Sequence, residues 1–190
     1  MPKPILILGP GRTGKTTLAR LLRAELPTYN LLHADALRAA IMKQLPPRYP
    51  QELLHYEKNS HYANLLLGLF NEQLQQDQNA QDLILDGGTI SPQFLTNQPA
   101  VLTHEPVIVF LGHGDLDSEG IFQLIRKNDT ATDWSSELSD SDLRIKTSLF
   151  AKQNQIYRAE CATTGIRYID TSQNRSAVLA RLAQEILRNL

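Results

Sequence analysis

Residues 5–17 read ILILGPGRTGKTT, and the fold turns on that stretch. Ile5–Leu8 is a short, wholly apolar run, as expected of a strand buried on both faces. Gly9, Gly11 and Gly14 follow, then Lys15, Thr16 and Thr17. Beyond them Leu18, Leu21, Leu22 and Leu26 recur at helical spacing. Strand, glycine-rich turn and helix in that order let backbone N–H groups converge on one concavity. The positive end of the helix dipole lies beside it. Gly9-Pro10-Gly11-Arg12-Thr13-Gly14-Lys15-Thr16 fits G-x-x-x-x-G-K-[ST], with Thr17 next in line. The pattern suits phosphate oxygens: Lys15 can reach the terminal phosphates, and the Thr16 hydroxyl can ligate Mg²⁺. A nucleoside triphosphate is the ligand that answers to all of these features.

Outward from this stretch, short apolar runs alternate with longer amphipathic ones. Further strands are predicted near residues 29–33, 82–86, 107–111 and 167–169. Helices are predicted over 15–26, 35–44, 51–77, 116–127, 143–163 and 176–190. In the 51–77 helix, Leu54, Tyr62, Leu65, Leu66, Leu69, Phe70 and Leu74 are read as the apolar side. Strands separated by helices imply parallel pairing, hence an open α/β sheet covered on both faces. The chain has 190 residues, enough for one domain with a full core, so residues 1–190 are read as a single domain. The net charge of -1 gives no basic field for nucleic acid or an anionic membrane. One cysteine, Cys161, cannot form an internal disulfide, and with no apolar run long enough for a membrane span the expectation is a cytoplasmic protein. The polar stretch 128–142 holds a capping box, Ser139 and Asp142, ahead of a helix. The remainder reads as a mobile surface loop, either a solvated connection or a lid.

The 9–17 motif resembles that of the P-loop nucleoside triphosphatases. The element order resembles their compact kinase branch, the adenylate, shikimate and gluconate kinases. The resemblance implies a three-layer α/β/α fold with a five-stranded parallel sheet in the order 2-3-1-4-5. It also implies ATP and Mg²⁺ as cofactors, a short lid over 128–142 and acceptor-binding helices over 35–77.

Other residues gather around that expectation. Asp35 follows the second predicted strand, where ligands of open α/β sheets bind. It would be a general base for an acceptor hydroxyl, a holder of Mg²⁺ through water, or an N-cap. Arg38, one turn on, resembles the arginine of a D-x-x-R that adenylate kinases offer to an anionic acceptor; an ion pair with Asp35 is the plainer reading. Asp86 ends the third strand, as the Mg²⁺-holding aspartate of P-loop enzymes does, or simply starts an Asp-Gly turn. Gly87 and Gly88 would admit an acceptor close to the backbone. Arg126 leads into the 128–142 loop, where the family places an arginine for the transferring phosphoryl group; cations at a helix end also favour the dipole. Arg144, Lys127 and Trp134 are left open. The resemblance puts the acceptor pocket between the helix after the second strand and the long helix that follows, where Tyr49, His55, Tyr56, Lys58, Asn59 and His61 are polar candidates; a solvated face is their other reading. His33, His104, His113 and Cys161 are read as structural. No arginine follows Asp86-Gly87 as in adenylate kinases, and the second aspartate that shikimate kinases carry near this position is missing, since Ala34 precedes Asp35 and His33 precedes that. The expected partners are therefore ATP and a small hydroxyl acceptor, in a monomer or homodimer. A nucleoside monophosphate kinase and a non-catalytic ATP-binding protein are the alternatives.

Overall fold

The computed structural model describes residues 3–44, 60–76, 82–102 and 104–190. Five parallel strands, β1 (Ile5–Leu8), β2 (Asn30–His33), β3 (Leu83–Gly87), β4 (Val107–Gly112) and β5 (Arg167–Asp170), lie in the order β2-β3-β1-β4-β5. The helices among the described residues are α1 (Lys15–Glu25), α2 (Ala34–Gln44), α3 (Ser60–Gln76), α4 (Pro92–Thr96), α5 (Pro99–Leu102), α6 (Ser118–Asn128), α7 (Asp140–Thr164) and α8 (Arg175–Arg188).

The apolar run of β1 is buried at every position because it is the central strand, paired with both β3 and β4. Its side chains alternate between faces. Leu6 and Leu8 join Leu83, Leu85 and Phe110 on one side, under Tyr62, Leu66 and Phe70 of α3 and Tyr157 of α7. Ile5 and Ile7 join Ile84, Val109 and Leu111 on the other, under Leu18 and Leu22 of α1 and Leu179, Leu182 and Ile186 of α8. This is the expected three-layer α/β/α arrangement with the expected strand order. A smaller cluster, including Ile121, Phe122, Ile125 and Leu143, fastens α6 to α7.

Register fixes what meets at the carboxyl edge of the sheet. Ile7 stands beside Asp86 and Leu8 beside Gly87; His33 stands beside Asp86 and Gly112 beside Asp170. The chain then leaves β1 at Gly9, whose φ of 139° is closed to most side chains. A Cβ there would lie 2.1 Å from the Leu111 carbonyl oxygen.

Several expectations need adjusting. Leu65 and Leu69 of α3 are exposed, while Ala63 and Leu67 are buried in their place. Leu54 lies outside the described residues. The short helices α4 and α5 have no counterpart in the predicted elements, because spans this short carry no 3.6-residue period to read. The first is announced locally: Ser91 accepts from the Phe94 N–H and Pro92 sits at its first turn.

Candidate active site

The phosphate loop runs from Gly9 to the first turn of α1. Thr13 Oγ1 donates to the Pro10 carbonyl at 3.0 Å, and Lys15 Nζ donates to the same carbonyl at 2.7 Å. Beneath the loop, His113 is buried and its Nε2 lies 2.9 Å from the Gly11 carbonyl oxygen. Burial pushes His113 down to about 4, so the ring is neutral and donates to that carbonyl. Thr171 Oγ1 is 2.9 Å from both the Thr13 and Gly112 carbonyls. The loop is thus held from below by the residue after β4 and by the turn after β5. Burial also lowers the Lys15 ammonium from its ordinary value, against the opposing pull of Asp35 and Asp86.

Asp86 sits at the junction of three elements. Thr16 Oγ1 donates to its Oδ2 at 3.0 Å, and His33 Nδ1 is 2.8 Å from its Oδ1. A hydroxyl and a carboxylate, both hard oxygen donors, are the pair that suits Mg²⁺ with phosphate oxygens and waters completing its shell. No group of three or more His, Cys, Asp or Glu side chains is assembled for a metal among the described residues. A thiolate- or imidazole-rich centre is not what these residues offer.

Asp35 lies in the first turn of α2, which begins at Ala34 directly after β2. The N-cap reading therefore does not describe its place. Its Oδ1 accepts from the Gly88 N–H at 3.3 Å. The Gly88 carbonyl is held from the other side by Tyr157, whose hydroxyl donates to it at 2.6 Å, and by Gln153 Nε2.

An open cleft of about 1420 Å³ runs past this arrangement; Asp86, His33 and Tyr157 stand behind its lining. Gly11, Arg12, Gly14, Lys15, Thr16 and Thr17 of the phosphate loop line it, as do Asp35, Arg38 and Gly88. Gly9, Pro10 and Thr13 are buried in the loop itself. Gly87 does not face the cleft. It is buried, and a Cβ there would meet the Ala34 Cβ at 2.6 Å, so this glycine serves the packing of α2 on β3.

Arg126 also stands elsewhere. Its guanidinium donates to the Ser135 carbonyl at 2.9 Å, the Leu138 carbonyl at 2.8 Å and Asp140 at 2.8 Å. The expected lid arginine is here a brace inside the loop, outside the cleft lining. Arg144 pairs with Glu119 and lies over the Phe122 ring at 3.9 Å, again outside the lining. Trp134 does line the cleft, edge-on to Phe150 with ring centroids 6.5 Å apart. Tyr49, His55, Tyr56, Lys58 and Asn59 lie outside the described residues. Burial raises the Cys161 thiol to about 12, in keeping with a packing role.

Sequence reading missed His33 as a partner of Asp86, the pair Gln153 and Tyr157 on α7, and Arg20, Lys152 and Arg175 in the lining. The 153/157 spacing of four residues was legible as one helix face. Nothing local shows that the face meets Gly88.

A phosphate loop after the first strand of an all-parallel 2-3-1-4-5 sheet, with helices on both faces, is the fold of the P-loop small-molecule kinases. Among solved structures the chain is similar to a shikimate kinase from Acinetobacter baumannii in complex with shikimate. That match has 19% identity and a TM-score of 0.57, covering 98% of this chain and 92% of that one. A gluconokinase from Sinorhizobium meliloti 1021 has 16% identity and a TM-score of 0.56, over 99% and 97% of the two chains. A sugar kinase from Janibacter sp. HTCC2649 has 15% identity and a TM-score of 0.58, over 98% and 95%. At these identities the likeness is one of fold. No protein-family model matches the chain, and no curated protein matches it in sequence. Among the described residues no helix is long and apolar enough to cross a membrane.

Proposed function

We propose that this protein is an ATP-dependent, Mg²⁺-requiring kinase that phosphorylates a hydroxyl group of a small molecule. The observation that carries the reading is the meeting of Lys15, Thr16, Asp86 and Asp35 at one end of the sheet, with Thr16 Oγ1 3.0 Å from Asp86. Loop amides and Lys15 receive the β- and γ-phosphates of ATP. Thr16 and Asp86 are the holders of Mg²⁺, which when bound offsets charge on the phosphate oxygens. Asp35 faces the acceptor and takes the proton of its hydroxyl. The acceptor oxygen bonds to the γ-phosphorus as the bond to the β-phosphate oxygen breaks, and ADP leaves. Arg38 and Gly88 border the acceptor. The whole chain acts as one kinase domain in the cytoplasm, as a monomer or homodimer, with the 128–142 segment restricting water at the cleft.

The test incubates the protein with ATP, Mg²⁺ and a panel of sugars, sugar acids, nucleosides, nucleoside monophosphates and aminoglycosides, scored for a new phosphoester. Asp35→Asn then discriminates between acceptors. A hydroxyl acceptor loses its proton, so turnover should fall roughly 10²–10⁴-fold. A nucleoside monophosphate is already anionic, and a mild effect would mark the protein as a monophosphate kinase. Binding of ATP with no phosphoester from any acceptor would make it a non-catalytic ATP-binding protein.

A further inference from the structure

Arg12 occupies a variable position of the phosphate loop motif, and its side chain leaves the loop altogether. Nη1 donates to Asp133 Oδ1 at 2.5 Å and Nη2 to Asp129 Oδ1 at 2.7 Å. The three side chains retain only 13%, 28% and 8% of their exposure, for Arg12, Asp133 and Asp129 respectively. These pairs are largely withdrawn from water, so loss of either partner costs far more than breaking a surface pair. Both carboxylates are themselves anchored. Asp133 Oδ2 accepts from the Thr130 N–H and hydroxyl at 2.9 Å, and Asp129 accepts from the Ser135 hydroxyl at 2.6 Å. Arg12 is clamped at its backbone too: its φ is 65° and its carbonyl accepts from Arg175 Nη1 at 3.1 Å. A left-handed arginine is strained, and fixed contacts at both ends keep it there. An aromatic bridge runs beside this one. Trp134 meets Phe150, and the Phe150 ring lies so close to Gly11 that a Cβ there would approach it to 2.3 Å.

We propose that Arg12 is a positioning residue that latches the 129–135 segment onto the phosphate loop. Through it the loop that receives ATP sets the place of Trp134, a wall of the same cleft. Arg126 stiffens the segment from within; Arg12 attaches it. The latch itself rests on contacts within the chain, and only its coupling to nucleotide rests on the kinase reading.

Trp134 is the chain's single tryptophan, so its fluorescence reports this segment alone. In protein without nucleotide, Arg12→Ala and Asp133→Asn should each increase acrylamide quenching. The increase is roughly twofold as the indole, 46% exposed, opens fully. Arg12→Lys should restore part of the protection, since it keeps the charge without the fork. Arg12→Ala with Asp133→Asn should match Arg12→Ala alone, because the two residues act as one unit. Circular dichroism and thermal melting establish that each variant is folded; if Arg12→Ala is not, Asp133→Asn and Asp129→Asn decide. Unchanged quenching in the folded variants, or additive increases in the double variant, overturns the latch. In a second arm, Mg²⁺ and ATP should shift Trp134 emission in the wild type. The shift should be lost in Asp133→Asn while equilibrium dialysis still finds ATP bound. Binding of ATP to the wild type with no change at Trp134 overturns the coupling. If the wild type binds no ATP, the kinase reading fails, and the quenching series still decides the latch.

Discussion

In the proposed function Asp86 is a holder of Mg²⁺, and a carboxylate keeps a metal in place only if its own neighbours hold it. Asp86 is gripped by Thr16 on one oxygen and by His33 on the other. Partners of this kind orient a ligand and tune its affinity. His33→Ala should therefore raise the Mg²⁺ concentration needed for half-maximal ATP binding roughly tenfold or more, measured by titration calorimetry. Lys15→Ala removes the ammonium that lies on the Pro10 carbonyl of the loop. ATP affinity should fall about tenfold to a hundredfold, read in the same instrument, since charge-assisted bonds to phosphate are the strong ones. At this scale the sequence was informative about residue type and silent about pairing. Asp86 was legible as a strand-end carboxylate. His33 was not legible as its partner, because the two are 53 positions apart and only the β2–β3 register sets them side by side. Gly87 and Gly88, neighbours in sequence, also part ways: Gly87 ends β3 against Ala34 of α2, and Gly88, just past the strand, lines the cleft.

Among the elements, α7 does the most to assemble the cleft. Gln153 and Tyr157 project from one of its faces to the Gly88 carbonyl, and Asn154 from the next. Asn154 is buried. Its Oδ1 accepts from the His113 N–H at 2.8 Å and the Tyr168 hydroxyl at 2.8 Å, and its Nδ2 donates to the Gly114 carbonyl at 2.9 Å. Asn154→Ala leaves several buried groups unpaired and should destabilise the protein by about 2–4 kcal/mol, measured by urea denaturation. Tyr157→Phe leaves Gln153 on the same carbonyl and should cost only about 1 kcal/mol. The 128–142 segment shows how far an element can be read from composition. Its capping box was visible, and Ser139 does accept from the Asp142 N–H at 3.1 Å. Polarity made the rest look like a mobile loop. In the fold those polar groups are spent on one another and on Arg12 and Arg126, a use that becomes visible only when α6 and α7 are side by side.

For the whole molecule, the chain passes to one side of β1 for β2 and β3 and to the other for β4 and β5. Ligands of open sheets bind at such a reversal, and the phosphate loop lies there. The support beneath it makes stability depend on pH. His113 titrates near 6.5 when unfolded and at about 4 in the fold, so between those values the unfolded chain binds the extra proton. Stability should hold above about pH 6.5 and fall as pH drops toward 4, by up to about 3 kcal/mol from this group. Urea unfolding of the wild type and His113→Gln across that range checks the sign, since the variant should lack this part of the loss. The sequence by itself determined the α/β class, the phosphate loop and the carboxylates at strand ends, because apolar period, glycine placement and strand-end position are local properties. Tertiary structure decided which of those groups face one cleft, that Arg126 braces the loop, and that Arg12 ties that loop to the phosphate cradle. The Arg12 pairs join residues more than a hundred positions apart, and pairing at that separation is set by sheet order and helix packing, which no local pattern encodes.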